Sequence, residues 1–207
     1  MYGIRRPSGP GFSLVEMLIA LAIMGILMAI AVPAYKDWVI STRVKGAAEF
    51  YLEGLRTARY EAIKHNSSSR LMMLDNSDTG QFDWRIDLCF RSDVVACDKT
   101  ATGWSTETAG ASGDPDTVKP FKSKFRSSQS MPKATTMDQE LTPAGATDVY
   151  FMSNGWINTT VSPRLTRLTL SPVAAGAFRP VAVSLTLGGV AASCDPNVVS
   201  PDSRACP

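Results

Sequence analysis

The sequence predicts an α+β protein in which one long N-terminal helix packs on an antiparallel β-sheet domain. Three observations predict it: an apolar run over residues 12–32, a helical apolar pattern that continues to about residue 65, and alternating apolar and polar residues beyond it. The 207 residues are 44% hydrophobic and 19% charged, which is typical of one globular domain and excludes a wholly disordered, collagen-like or repeat protein. We expect residues 66–207 to form a β-rich globular domain.

The apolar run is long enough to cross a membrane. At about 1.5 Å per residue a helix of this length spans about 31 Å, which matches the hydrocarbon core of a bilayer. Glu16 is the only charge in the run, and the residues before it include Arg5 and Arg6 but no acidic residue. Because positive charge is retained on the cytoplasmic side, this pattern predicts a cytoplasmic N-terminus and an exported C-terminal domain.

A lone carboxylate inside an apolar helix needs a partner. Burying Glu16 in the membrane would cost about 2.5–3.5 kcal/mol on insertion scales. Gly11 stands at the edge of the apolar run, so cleavage after it would remove residues 1–11 as a leader and free the α-amino group of Phe12. That cation would lie close to Glu16, and a neighbouring subunit could offer the same group. Such pairing between subunits would set the axial register of packed helices.

The stretch GFSLVE over residues 11–16 is followed by an apolar helix containing Gly25 and by the tripeptide PAY at residues 33–35. This order resembles the class III signal of type IV pilins and of the pseudopilins of type II secretion. The resemblance implies a pilin-like fold in which residues 12–33 form a transmembrane and filament-core helix. The alternative is an uncleaved signal-anchor helix with an isolated glutamate.

The resemblance also implies roles for single residues. A prepilin peptidase would cut after Gly11 and N-methylate Phe12, and Glu16 would pair with the N-terminus of a neighbouring subunit during filament assembly. Gly25 and Pro33 would border the helix segment that loosens when subunits pack into a filament.

Residues 34–65 have the pattern of an amphipathic helix, which we expect to continue the first helix with a bend near Pro33. The polar stretch over residues 66–69 is a stop signal. Apolar side chains recur every three or four positions between charged ones; they are Val44, Ala47, Ala48, Tyr51, Leu52, Leu55, Ala58, Ala62 and Ile63.

Two later segments alternate as strands with one buried face. In residues 82–90 the apolar side chains alternate with Asp83, Arg85 and Asp87, and in residues 181–187 valine and leucine alternate with smaller residues, so that Leu187 points inward. We therefore expect an antiparallel sheet packed on the helix.

Two glycine dipeptides predict the turns of this sheet. Gly188-Gly189 offers a two-residue hairpin turn into residues 190–193, and Asn154-Gly155 offers another between residues 149–152 and 156–157. Residues 98–119 carry no periodicity and are expected to form a loop.

The cysteine count suits an exported domain. Four cysteines are an even number, which an oxidising periplasm would pair, and three connectivities are open. The nearest-neighbour scheme, Cys89 with Cys97 and Cys194 with Cys206, is favoured because it suits a strand-end hairpin and a clamp on the C-terminal tail. In the cytoplasm the same residues would be free thiols. With a single histidine, the chain offers too few ligands for a usual metal site, and we expect no metal and no cofactor.

Three further segments resemble the GspH/FimT branch of these proteins. They are residues 55–66 at the end of the long helix, residues 149–156 with their glycine turn, and residues 179–184 with the later Gly188-Gly189 and Cys194. Some FimT proteins take up DNA through a Gly-Arg-x-Arg turn, but residues 188–191 read Gly-Gly-Val-Ala and lack both arginines.

An enzyme is not expected. His65 stands at the end of the helix before a serine-rich stretch, as a solvated residue would, and no nucleophile elbow, phosphate loop or HExxH motif occurs.

A DNA-binding subunit remains the alternative to a purely structural one. A stretch without acidic residues interleaves two phenylalanines with five cations, a pattern that could bind a polyanion; the cations are Lys119, Lys122, Lys124, Arg126 and Lys133. A solvated surface loop explains the same pattern.

A filament subunit explains most of these features together. The resemblance predicts a minor pilin or H-type pseudopilin that acts in initiation, assembly or the tip of a type IV pilus or a type II secretion pseudopilus. Its partners would be the prepilin peptidase, other pilins or pseudopilins and the assembly platform of the bacterial inner membrane. The protein would be anchored there by a single pass, with its C-terminal domain in the periplasm, before it enters the filament.

Overall fold

The computed structural model describes residues 12–92, 96–174 and 176–207. The first regular element is helix α1, Leu14–Lys64, and eight strands follow it among the described residues. The chain forms two compact units that divide between Val39 and Ile40, and α1 contributes to both. The amphipathic half of α1 contributes to the core of the second unit, and the expected boundaries after residues 33 and 65 stay predictions.

Helix α1 ends one residue before the predicted position. Asn66 adopts a left-handed conformation with φ of 46°, and the Ser67 N–H donates to the Ala62 carbonyl at 3.0 Å. This hydrogen bond closes the last turn in the manner of a Schellman motif. The predicted stop signal is shorter than expected, because the strand that follows already begins at Ser68.

The strands form two antiparallel four-stranded sheets. The first sheet has the order β3-β2-β1-β5 and the second β4-β6-β7-β8. Their bounds are β1 Ser68–Asn76, β2 Gln81–Cys89, β3 Lys124–Arg126, β4 Met137–Thr142, β5 Asp148–Phe151, β6 Arg167–Pro172, β7 Val181–Leu185 and β8 Ala191–Cys194. The predicted α+β class is confirmed, with two sheets where one was expected.

One core joins the amphipathic stripe of α1 to both sheets. Eight of the nine residues predicted for the stripe are buried in it, and Ile63 is the exception, since it is 48% exposed. The sheets contribute Leu71, Ile86, Val149, Leu168, Leu170 and Val183. The helix approaches the first sheet closely at Gly54, where an added Cβ would lie 2.9 Å from Leu71 Cδ1 and 3.1 Å from the Trp84 ring.

The opposite face of β2 is also covered, which the sequence analysis did not predict. Asp83 and Asp87 are buried instead of facing solvent. Asp87 accepts hydrogen bonds from Arg70 Nε at 2.8 Å and from Arg85 Nε at 2.9 Å. The Arg70 guanidinium in turn lies 4.5 Å from the centre of the Trp104 ring. The alternation of residue types was correct, but a second layer of chain covers the polar face.

Residues 98–119, predicted as a loop, form the part of that cover near Asp87 without a helix or strand of their own, and Ser127 and Ser128 contact Asp83. Trp104 and Ser105 are buried, and the Ser105 N–H donates to the Leu88 carbonyl at 2.8 Å. The segment is therefore irregular but packed.

The structure contains both disulfides of the nearest-neighbour scheme. Cys89–Cys97 joins the end of β2 to the covering segment, and Cys194–Cys206 joins the end of β8 to the C-terminal tail. The two bonds differ in environment, because Cys89 and Cys97 are buried in a small apolar cluster with Trp104 and Tyr150, whereas the second pair is partly exposed.

Both glycine dipeptides lie in turns. The Gly155 N–H donates to the Met152 carbonyl, and the Gly189 N–H donates to the Thr186 carbonyl. The second connection is longer than the predicted two residues, since β7 ends at Leu185 and a hydrogen bond between Thr186 N and Val190 O leaves three residues in the loop. Leu187, predicted to point inward, is exposed for that reason.

Candidate functional site

The first turn of α1 is organised by Ser13. The Glu16 N–H donates to Ser13 Oγ at 3.2 Å, and the Met17 N–H donates to the Ser13 carbonyl at 3.2 Å. Ser13 therefore acts as the N-cap, and Glu16 occupies the third helical position. The Ser-x-x-Glu spacing of a capping box was present in the sequence but was not used in the prediction. The cap places an exposed carboxylate on the first helical turn, four residues after Phe12.

The helix that follows presents apolar side chains over its entire first half. Phe12 is 79% exposed, and the large apolar side chains up to Val32 are exposed as well. Within the described residues α1 is the one helix that is long and apolar enough to cross a membrane, and none of its apolar stretch is buried against other parts of the chain. A continuous apolar surface of this size requires lipid or another protein chain to cover it.

The other residues predicted for this segment are Gly25, Pro33 and Gly11. Gly25 and Pro33 both lie within the helix, and an added Cβ on Gly25 would meet no atom within 4 Å. The expected loosening between them concerns the assembled filament and stays a prediction. Gly11, the predicted cleavage site, lies outside the described residues.

The basic segment proposed as a polyanion site is partly neutralised by α1. Lys124 Nζ lies 2.7 Å from Glu61 Oε1, and Arg126 Nη1 lies 3.4 Å from Glu53 Oε1. Both cations belong to β3, an edge strand that packs beside the helix, so carboxylates distant in sequence supply counter-charges. Lys119, Lys122 and Lys133 are exposed. Two of the five cations are therefore paired with carboxylates of α1, and polyanion binding by this segment stays a prediction.

His65 lies beside the same buried carboxylate. Its Nε2 is 3.3 Å from Glu61 Oε2, and its ring packs edge-on against Phe121 at 5.4 Å. Lys124, Glu61 and His65 together attach the basic segment to the end of α1. Histidine thus has a structural contact here, instead of the solvated position expected for it.

Tyr51 and Asp83 are two of the buried groups whose pKa values are shifted. Burial raises the pKa of Tyr51, whose hydroxyl donates to the Phe82 carbonyl at 2.9 Å and accepts from Gln139 Nε2 at 2.6 Å. Burial opposes the ionisation of Asp83, but hydrogen bonds from Ser128, Asn76 and Ser127 outweigh it and hold its pKa below the usual range. Both groups join separate elements of the fold. Among the described residues no group of three or more His, Cys, Asp or Glu side chains could hold a metal ion.

Comparison with known proteins bears on the N-terminal helix. The family described as the prokaryotic N-terminal methylation motif matches residues 10–32. A fimbrial protein of Moraxella nonliquefaciens is 39% identical over 69 residues, which cover 33% of this chain and 42% of the relative. The type IV major fimbrial protein FimA of Dichelobacter nodosus is 32% identical over 106 residues, covering 51% of this chain and 48% of the relative. The chain thus spans less than half the length of these two relatives.

A solved structure, the type IV minor pilin FimU of Pseudomonas aeruginosa, is similar over 72% of this chain and 85% of its own, with 16% identity and a TM-score of 0.38.

These findings define a class of protein: an α+β chain whose exposed apolar N-terminal helix carries a methylation motif. The predicted resemblance to the type IV pilin superfamily is confirmed by that motif and by the fimbrial relatives.

Proposed function

We propose that this chain is a non-catalytic subunit of a type IV pilus, a minor pilin of the GspH/FimT type that acts in initiation, assembly or the tip. The observation that carries the proposal is the unburied apolar helix, which bears the methylation motif and begins with a capped turn containing Glu16. The support for choosing a pilus as the assembly is that these relatives are themselves fimbrial proteins, and a type II secretion pseudopilus is the other assembly that the methylation motif would suit.

The proposed route begins in the inner membrane, with the N-terminus cytoplasmic and the globular unit periplasmic. The prepilin peptidase removes the leader after Gly11 and methylates Phe12. The assembly platform then transfers the helix from lipid to the filament core. Lipid covers the apolar surface of the helix before the transfer, and neighbouring helices cover the same surface after it. There Glu16 of one subunit accepts the charged N-terminus of its neighbour, which compensates the cost of burying the carboxylate.

Processing is tested by intact mass and N-terminal sequencing of the protein from native membranes. The expected chain begins at N-methylated Phe12, and its mass rises by four hydrogens on reduction because two disulfides open. A chain still beginning at Met1 in cells with active prepilin peptidase contradicts the proposal.

Assembly is tested with Glu16→Ala, compared with Glu49→Ala, which removes an exposed carboxylate from the same helix outside the apolar run. We expect Glu16→Ala to insert into the membrane normally but to lower filament number by at least tenfold, because the axial contact is lost. Glu49→Ala should have little effect. Filaments are counted by electron microscopy, and normal numbers with Glu16→Ala would refute the role of that residue.

DNA binding is the weaker candidate. The turn at residues 188–191 lacks the two arginines of the DNA-binding FimT turn. Two of the five cations in the basic segment are paired with Glu53 and Glu61. A DNA-uptake defect in a deletion strain that retains normal filaments would favour this alternative.

A further inference from the structure

A groove of about 400 Å³ lies between the last turns of α1 and the β7–β8 connection. The helix contributes Arg56, Arg59, Tyr60 and Ile63, and the connection contributes residues 189–191. The proposed function does not use this surface, since assembly through Phe12 and Glu16 takes place at the other end of α1.

Two glycines shape the groove. Gly155 and Gly189 have positive φ angles of 80° and 74°. An added Cβ on Gly189 would overlap the carbonyl oxygen of Gly155, and one on Gly155 would lie 2.7 Å from Ile63 Cδ1. Arg59 Nε donates to the same Gly155 carbonyl at 3.2 Å. Because the two turns touch through their backbones, their position against the helix is fixed before any partner binds.

Large apolar side chains surround these turns and remain exposed. Trp156 follows Gly155 and is 57% exposed, and Val190 follows Gly189 and is 53% exposed. Leu187 lies in the same connection, where its carbonyl accepts from the Ile157 N–H at 3.0 Å. Tyr60 and Ile63 of the helix line the groove together with Val190, and Trp156 and Leu187 are exposed on the two turns beside it. Single exposed apolar residues are common, but a patch of this kind marks an interaction surface.

The charge of the groove indicates the chemistry of its occupant. Both charged residues among the described lining are arginines, and Arg56 makes no hydrogen bond or ion pair to the residues that the structure describes. Arginine, tyrosine and tryptophan are the residues that contribute most strongly to protein interfaces. Nucleic acid would need several phosphate contacts, whereas this surface offers two cations among mostly apolar side chains.

We propose that this groove binds an acidic segment of a neighbouring, different pilin subunit. An apolar side chain of that segment fills the space between α1 and the two glycine turns, and a carboxylate beside it pairs with Arg56. The proposal rests on the proposed function as a filament subunit and names the contact that the globular unit adds to the helix packing.

The test is photocrosslinking of the full chain in cells. Benzoylphenylalanine replaces Tyr60 or Val190, which both line the groove, and Val173 serves as the control because it is 56% exposed but does not line the groove. Crosslinked peptides are sequenced by mass spectrometry. We expect both groove positions to crosslink to one stretch of another pilin subunit that contains Asp or Glu, and the control to give at most a tenth of that yield.

Charge reversal tests the ionic contact. We expect Arg56→Glu to lower the groove crosslink at least tenfold, and reversal of the crosslinked carboxylate in the partner to restore it. Arg179→Glu, the same change at another exposed arginine, should leave the yield unchanged. Crosslinks to a second copy of this chain, to nucleic acid, to no molecule, or equally from Val173 would overturn the proposal, as would an unchanged yield with Arg56→Glu.

Failure of the proposed function would look different. In that case the chain is absent from purified filaments and its deletion leaves filament number normal. If only the groove proposal fails, deletion abolishes filaments while Arg56→Glu assembles as the unmodified chain does.

Discussion

At the scale of single residues, Asp83 shows how a charged group is held inside this fold. Its Oδ1 accepts hydrogen bonds from Asn76 Nδ2 at 2.9 Å, Ser128 N at 2.6 Å and Ser128 Oγ at 2.8 Å. Ser127 Oγ lies 3.3 Å away. These donors attach the end of β1 and the segment after β3 to the centre of β2.

We expect Asp83→Asn to destabilise the protein by about 2 kcal/mol at pH 7, because hydrogen bonds to a charged acceptor contribute about 1.5–3 kcal/mol. Since the pKa of Asp83 is lowered on folding, its contribution is fully present above the unfolded pKa of about 3.9 and is lost as pH falls through the lower folded value. The difference between the two proteins should therefore shrink below about pH 4.

Urea unfolding of the full chain in detergent, followed by near-ultraviolet circular dichroism, measures this difference. Asp75→Asn is the matched control, because Asp75 is an exposed carboxylate on the adjacent strand. A difference between Asp83→Asn and the unmodified chain that stays constant from pH 7 to pH 2 would show that folding does not lower the pKa of Asp83.

At the scale of elements, α1 meets the first sheet at one glycine and faces open space at another. A side chain on Gly54 would be forced against Leu71 and Trp84, whereas an added Cβ on Gly46 would meet no atom within 4 Å. The helix can therefore approach β1 and β2 closely at Gly54 only because that residue has no side chain.

Valine substitutions at Gly54 and Gly46 distinguish the effect of packing on stability from the effect of helix propensity. We expect Gly54→Val to destabilise the protein by about 1–3 kcal/mol through overpacking, and Gly46→Val to change its stability by less than about 0.5 kcal/mol. Both changes carry the same intrinsic propensity, so the difference between their midpoints in urea reports the contact. Equal urea midpoints for the two variants would mean that the helix and the sheet move apart at Gly54 without loss of stability.

Removal of each disulfide should expose a different part of the chain to protease. Replacing Cys89 and Cys97 with Ala should loosen the covering segment and expose Trp104, because this bond lies within the buried cluster. Replacing Cys194 and Cys206 should release the C-terminal tail and leave the core folded. Limited proteolysis with mass spectrometry locates the cuts, and cleavage confined to the tail in both variants would contradict this difference.

The sequence predicted elements with strong periodicity and missed those whose burial depends on distant chain. The stripe of α1 and the strands at β2, β5, β7 and β8 were anticipated from local pattern. Strand β3 has three exposed residues, so no local pattern could indicate it. Strand β6 carried a usable alternation through Leu168 and Leu170, which the analysis overlooked.

Long-range contacts explain the errors at the candidate sites. Lys124 meets Glu61 across 63 positions of sequence, so counting charges within the basic segment could not reveal the pairing. Asp83 and Asp87 looked solvent-facing because their partners are distant in sequence: Ser128 binds Asp83, and Trp104 packs on the arginine that pairs with Asp87. In contrast, the methylation motif is a contiguous stretch, and for that reason it could be recognised from sequence alone.

At the scale of the whole molecule, the core lies within one of the two compact units. Every buried apolar residue of the described chain lies within residues 44–191, and none lies in the apolar half of α1. Folding of the globular unit therefore draws on the amphipathic half of the helix but not on its apolar half.

A fragment of residues 40–207, exported to the periplasm, should be soluble and give the near-ultraviolet circular dichroism of the full chain. A fragment of residues 66–207 should not fold, since it lacks the buried helix residues Tyr51, Leu52 and Leu55. Thermal unfolding distinguishes them, with a cooperative transition expected for the longer fragment alone. A cooperative transition in the shorter fragment would show that the sheets fold without the helix.

The order of the cysteines also has a consequence for biogenesis. The bonded pairs are consecutive along the chain, separated by 8 and 12 positions, and neither loop encloses the other. A chain exported from its N-terminal end presents Cys89 and Cys97 to the oxidising side before the second pair emerges. An oxidase that joins thiols in order of arrival therefore makes the native bonds directly, so maturation should need a thiol oxidase but no disulfide isomerase.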